Sequence, residues 1–257
     1  MAARRRGAKI GIVLIIMALI LIGVFVVVDR IAAGAAESRI AQETRTQLAA
    51  KDIKYEGDPQ VSVTGFPFLT QVAAGEYKKI TIKLSKPQLN NIKLDTLTVE
   101  ARSVKANAQE LLSGKGDVVA SEVVGNASMG WDDVRPLLEV AGLPPSADPS
   151  QVDLRVVDNK IEMRVPVTIQ GVGFNIVAKG SMVVETGKVR LKLESVSTDQ
   201  GSLPPQVNNF IKQYQNRLQI NLRLPGLPYN LVVNSVDTTD TGLQVKASAA
   251  DVKLTGQ

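Results

Sequence analysis

Two periodicities divide the chain. Ile10 to Val28 is a run of 19 residues without a charge, whereas beyond Gly57 the apolar positions recur mainly at every second residue. At ~1.5 Å rise per residue, a helix over the first run spans roughly the ~30 Å hydrocarbon core of a bilayer. From Ile31 to Leu48, the positions Ile31, Ala35, Ile40, Ala41, Thr44 and Leu48 keep a loosely helical spacing, with Glu37, Arg39, Glu43 and Arg45 available for the opposite face. This spacing predicts a helix that continues out of the apolar run. The Gly57-Asp58-Pro59 cluster reads as the break that ends it, giving a helical segment over 29–56.

Strict alternation then recurs at Val61–Val63, Ile80–Leu84, Leu97–Ala101, Ile161–Ile169, Phe174–Ala178, Val189–Leu193 and Leu243–Ala247. Such segments predict antiparallel strands with one apolar and one wet face. Asp158-Asn159, Thr186-Gly187 and Asp240-Thr241-Gly242 supply the turn residues for hairpins between them. Two helices are expected to interrupt the strands. The first runs from Trp131 to Ala141 and opens on Asp132 and Asp133, whose charges suit a helix N-terminus. The second follows Pro204-Pro205, where Val207, Phe210, Ile211, Tyr214 and Leu218 form an apolar stripe. The fold class implied is α+β, with amphipathic helices laid on the apolar face of a curved antiparallel sheet and one transmembrane helix before it.

Charge sets the orientation. Arg4, Arg5, Arg6 and Lys9 precede the apolar run and only Arg30 follows it closely, so residues 1–9 read as a cytoplasmic basic tail and 10–28 as the anchor. The domain over 57–257 is then delivered to the far side of the plasma membrane. The competing reading is a cleaved signal peptide, since Ala32, Ala33, Gly34, Ala35 and Ala36 suit a peptidase. Its apolar region is normally about 7–15 residues, shorter than this one. Most of the formal net charge of +5 lies in the first 30 residues, and the exported part lacks the basic excess that a nucleic-acid partner requires.

The chain has no histidine and no cysteine. Ser-His-Asp chemistry is therefore excluded, along with thiolate nucleophiles, disulfides and Cys-ligated metals, and no cofactor or metal is expected. Asp132 and Asp133 are the obvious acid pair, but adjacent helical residues point about 100° apart and the helix dipole already explains them. The expectation is a protein that is not an enzyme.

What remains is apolar. Gly65-Phe66-Pro67-Phe68-Leu69 and Leu224-Pro225-Gly226-Leu227-Pro228-Tyr229 are Pro-restrained apolar loops, which plug a core, line the mouth of an apolar cavity or touch a bilayer. With Gly75-Glu76-Tyr77, Ile80-Thr81-Ile82, Leu203-Pro204-Pro205 and Asp240-Thr241-Gly242-Leu243 in the same order, the chain resembles the LmeA-like phospholipid-binding proteins of actinobacterial envelopes. The resemblance covers most of residues 37 to 254. It implies a fold similar to tubular lipid-binding proteins, phospholipids such as phosphatidylinositol as ligands, and a role in maturation of envelope lipoglycans. Under it, the candidate lipid-binding residues are Phe66, Phe68 and Leu69 in the first loop, Leu203, Val207, Phe210, Ile211 and Tyr214 at the second helix, and Leu224, Leu227 and Tyr229 in the second loop. The expected partners are phospholipid and the plasma membrane. The alternative reading is an anchored scaffold that assists an envelope glycosyltransferase through protein contacts.

Overall fold

A single helix, α1 (Arg4–Ala50), carries both the apolar run and the helical stretch after it. In the computed structural model, which describes residues 4–89, 92–107, 109, 117–134, 137–141, 151–158, 160–169, 171–185, 187–199, 219–222 and 230–254, the helix changes surroundings at its midpoint. Large side chains from Leu14 to Val28 are exposed, whereas Asp29, Ala33, Ala36, Ile40 and Ala41 are buried. The buried set recurs every three or four residues, and its alanines let the helix approach a sheet closely. The helix ends at Ala50, earlier than the glycine cluster at 57–59. Asp52 adopts a left-handed φ of 52°, and the Ile53 N–H returns to the Leu48 carbonyl at 2.9 Å. Asp tolerates that conformation, so the helix is closed there. Gly57, Asp58 and Pro59 lie inside the next strand, β1 (Lys54–Thr64), where the pairing register shifts.

The strands form two antiparallel sheets. Sheet A takes β1, β2 (Glu76–Leu89), β4 (Thr96–Lys105), β5 (Val119–Gly130), β13 (Gly242–Lys253) and β12 (Val232–Thr239) in that spatial order, with β3 (Ile92–Lys93) paired to β2. Sheet B runs β6 (Leu138–Ala141), β11 (Gln219–Leu222), β10 (Lys188–Thr198), β9 (Val172–Glu185), β8 (Lys160–Ile169) and β7 (Asp153–Val157). Every alternating segment named above is a strand, and the three turn signals join β7 to β8, β9 to β10 and β12 to β13.

The expected helix over 131–141 is corrected. Among the described residues the α-helix covers Trp131–Val134 (α3), while Leu138–Ala141 is a strand that pairs with β11, Val140 facing Ile220. Leu138 fits a helical spacing with Val134 and Ala141 and a period of two with Val140, and the distant strand decides between them. The segment 204–218, where the second helix was expected, lies outside the described residues.

Sheet A has one apolar face with two covers. At one end, α1 and the short helix α2 (Phe68–Ala74) enclose Val63, Phe68, Tyr77, Ile80, Ala101, Val104, Ala120 and Val123. At the other end, Met129, Val233, Leu243, Val245 and Ala247 pack with Ile161, Met163, Val165, Val189 and Leu191 of sheet B. Alternation along sheet A changes phase at a row of four neighbours: Lys78, Ser103, Ser121 and Asp251. Tyr77 faces Val104 and Lys79 faces Arg102, with no paired residues between them, and the same gap recurs between β4, β5 and β13. Ser103 and Asp251 take left-handed φ of 47° and 51°. Two consecutive residues point outward on each strand, so Tyr77, Val104, Ala120 and Val252 stay buried on the same side as Ile80, Ala101 and Val123.

Candidate functional site

The registers arrange the apolar face of sheet A into transverse rows. Val63, Ile80, Ala101, Val123 and Ala249 form the row under α1. The next row is Val61, Ile82, Val99, Gly125 and Ala247, and the next after that is Leu84, Leu97, Ala127 and Val245. The first of these rows is buried by α1, and its neighbours are covered unevenly. Val61, Ile82, Val99, Leu97 and Ala127 are only half-buried, Val61 and Val99 packing against the helix-covered cluster and Leu97 and Ala127 against the cluster shared with sheet B. Leu231 packs against both clusters and so stands where the two covers meet. It sits over Gly125, where an added Cβ would lie 3.8 Å from the leucine Cδ1.

This floor is aliphatic, and its residues carry no titratable group. It suits a ligand held by removal of apolar area from water, at about 0.8 kcal/mol per buried methylene. The opposite face of sheet A is charged: Arg102 bridges Glu100 at 3.0 Å and Glu122 at 2.8 Å, with Lys79 3.6 Å from Glu100. Among the described residues, no group of His, Cys, Asp or Glu is arranged to hold a metal.

The Gly65–Leu69 loop closes the end of the face nearest the apolar half of α1. Gly65 has a φ of 124°, and a Cβ there would stand 2.6 Å from the buried Gln71 side chain. The Gln71 Oε1 in turn accepts the Lys78 N–H at 2.8 Å. Phe68 turns inward, with its ring centroid 6.3 Å from that of Tyr77. Phe66 turns outward beneath the Arg30 guanidinium, 5.3 Å from its ring centroid.

The link between loop and anchor is Asp29. α2 begins after Pro67, which supplies no side-chain cap. Instead, Asp29 of α1 caps it from outside, its Oδ1 accepting the Leu69 N–H at 2.8 Å while its Oδ2 accepts from Arg30 at 2.5 Å. Burial on its own would raise the carboxyl pKa. The bonds from Arg30 and from the Leu69 and Phe68 N–H groups outweigh it and hold the carboxyl below its ordinary value.

Of the sequence-derived candidates, Phe68 is in the core, Leu69 is half-buried on α2, and Phe66 is exposed. Leu203, Val207, Phe210, Ile211, Tyr214, Leu224, Leu227 and Tyr229 lie outside the described residues. The floor residues Val61, Ile82, Leu97 and Val99 belong to strands that the alternation marks, but alternation does not say which strand segments are left half-covered. Leu231, two residues past the Leu-Pro-Gly-Leu-Pro-Tyr segment, packs against both clusters.

A family model described as LmeA-like phospholipid-binding matches residues 27–248. The match opens two residues before Asp29 and takes in both sheets. No curated protein and no solved structure matches the chain.

Proposed function

The chain belongs to the LmeA-like phospholipid-binding family, and on that premise we propose that it holds the acyl part of a phospholipid against the half-covered rows of sheet A while α1 anchors it in the plasma membrane. The observation that carries the reading is the aliphatic floor of Val61, Ile82, Val99, Leu97 and Ala127. Phosphatidylinositol is the proposed headgroup class, maturation of envelope lipoglycans the proposed setting, and the outer face of the membrane the proposed side.

Retention of the anchor is supported by where the domain core begins. A cut among the small residues 32–36 would remove Asp29, and with it the outside cap of α2, and would take Ala33 out of the helix cover. A signal peptide does not ordinarily contribute to the core of the domain it exports.

The test is photocrosslinking of the full chain in membranes with a phosphatidylinositol carrying a diazirine on its acyl chain. Adducts on peptides from β4 and β5 are expected. Adducts restricted to α1 would refute the floor as the site.

A further inference from the structure

Outside α1, the large hydrophobic side chains that stand exposed among the described residues are Phe66, at 55%, and Val232, at 54%. Their settings differ. Val232 opens the edge strand β12, far along the sheet order from the helix. Phe66 lies under Arg30, the second residue after the apolar run, so its ring stands at the level where α1 leaves that run. The exposed apolar surface of the helix reaches this level through Val27 and Val28 and continues past it at Ile31, 68% exposed.

The loop cannot drift from that level. α1 is one helix on both sides of it, and the buried Asp29 binds the first turn of α2 to the helix. Arg30 also donates to the Gly65 carbonyl at 3.4 Å, and Phe68 roots the loop in the core beside Tyr77. An exposed aromatic ring next to an arginine with an apolar stem is the combination that settles at a bilayer interface, ring at the acyl boundary and guanidinium at the phosphates.

We propose that the Gly65–Leu69 loop is seated in the outer-leaflet interface of the membrane that α1 crosses, with Phe66 inserted and Arg30 at the phosphate level. The proposal rests on the anchored reading of α1. It deepens the lipid-binding reading as well, because β1 runs toward this loop. Val61 precedes Phe66 by five residues, at most about 17 Å of extended chain. The half-covered floor therefore begins within the length of an acyl chain from the seated loop, on the far side of the buried Val63 row.

The chain has no cysteine, so a single introduced thiol labels uniquely. Full-length Phe66→Cys, Phe25→Cys and Val232→Cys each receive a nitroxide and are reconstituted into phosphatidylcholine vesicles containing phosphatidylglycerol. The accessibility of each label to oxygen, which partitions into the bilayer, is compared with its accessibility to a water-soluble nickel chelate. Labels at 25 and 66 are expected to favour oxygen, the ratio at 66 exceeding that at 232 by several-fold. A label at 66 that matches 232 while 25 favours oxygen overturns the seating and leaves the anchor standing. A label at 25 that matches 232 overturns the anchored reading and the seating with it. A second readout keeps an aromatic ring in place: Phe66→Trp in a Trp131→Phe background is expected to be quenched by brominated phosphatidylcholine, and an unquenched indole overturns the seating.

Discussion

Glu162 is the buried charge on which sheet B can be tested. It lies on β8 between the core positions Ile161 and Met163, and its side chain is 5% exposed. Its Oε1 accepts from Arg155 and from Arg164, the latter at 3.1 Å, and its Oε2 lies 3.3 Å from Lys179 Nζ. Three strands are thereby tied through one carboxylate. Glu162→Gln keeps the shape and removes the charge, leaving three cations around a neutral amide. A hydrogen bond to a charged group contributes about 1.5–3 kcal/mol, and breaking a fully buried pair costs about 3–5 kcal/mol. The cations here are 37–43% exposed, so water takes up part of the loss. An expected cost of about 2 kcal/mol follows, or a melting shift of about 4–8 °C for a domain of roughly 200 residues.

The effect has a pH signature. Burial would raise the Glu162 pKa, but the bonds from Arg155, Arg164 and Lys179 outweigh it and hold the carboxyl below its ordinary value. The folded pKa is thus below the unfolded one, so the stabilisation is fully present above the unfolded value of about 4.3 and is lost as pH falls through the folded value. Trp131, the single tryptophan, packs against the cluster between the sheets and reports melting by fluorescence. The gap between wild type and Glu162→Gln should be widest near neutrality and close in acid. Equal melting at neutral pH would refute the reasoning, as would a gap that persists unchanged in acid. Glu194→Gln is the comparison, and it should stay closer to wild type because that carboxylate is 37% exposed and faces Lys160 at the surface.

Two further changes test the loop. Gly65→Ala must accommodate a φ of 124° and displace Gln71 from its bond to Lys78; backbone strain of about 1–3 kcal/mol plus a lost hydrogen bond of about 1 kcal/mol gives an expected cost of about 2–4 kcal/mol in the same melt. Phe68→Ala removes a buried ring from beside Tyr77 and should cost about 3–5 kcal/mol, whereas Phe66→Ala should stay within about 0.5 kcal/mol of wild type, and equal losses at the two positions would contradict their opposite burial.

The α+β class and most of the long strands were legible because one face of each is buried and the other wet. β8 is the clearest case, with Ile161, Met163, Val165 and Val167 all buried at period two. β5 escaped notice because Val123, Val124 and Gly125 are buried in succession and the phase change at Ser121 disrupts the remaining pattern. β6 was misread as helix because four residues fit either period, and its partner β11 lies almost 80 residues away in sequence. Alternation also reports a buried face without naming what buries it. For that reason the division into two sheets, and the half-covered rows between their covers, had no signature in the chain.

The phase change in sheet A explains how one apolar face serves two covers. Without it, strict alternation along β4 from Leu97 through Ala101 would place Ser103 inward and Val104 outward. A strand could not then bury both Ala101 and Val104 under the same helix. The left-handed residues Ser103 and Asp251, with Lys78 and Ser121 in line, turn all four strands at one level, so no register is lost and the ladder resumes on the far side. Such a turn costs strain at non-glycine residues, and it is sustained because it returns inward a buried row, Tyr77, Val104, Ala120 and Val252. The row is the terminal layer of the helix-covered core. It holds that end shut, and the half-covered floor is left toward sheet B, on the far side of the Val63 row.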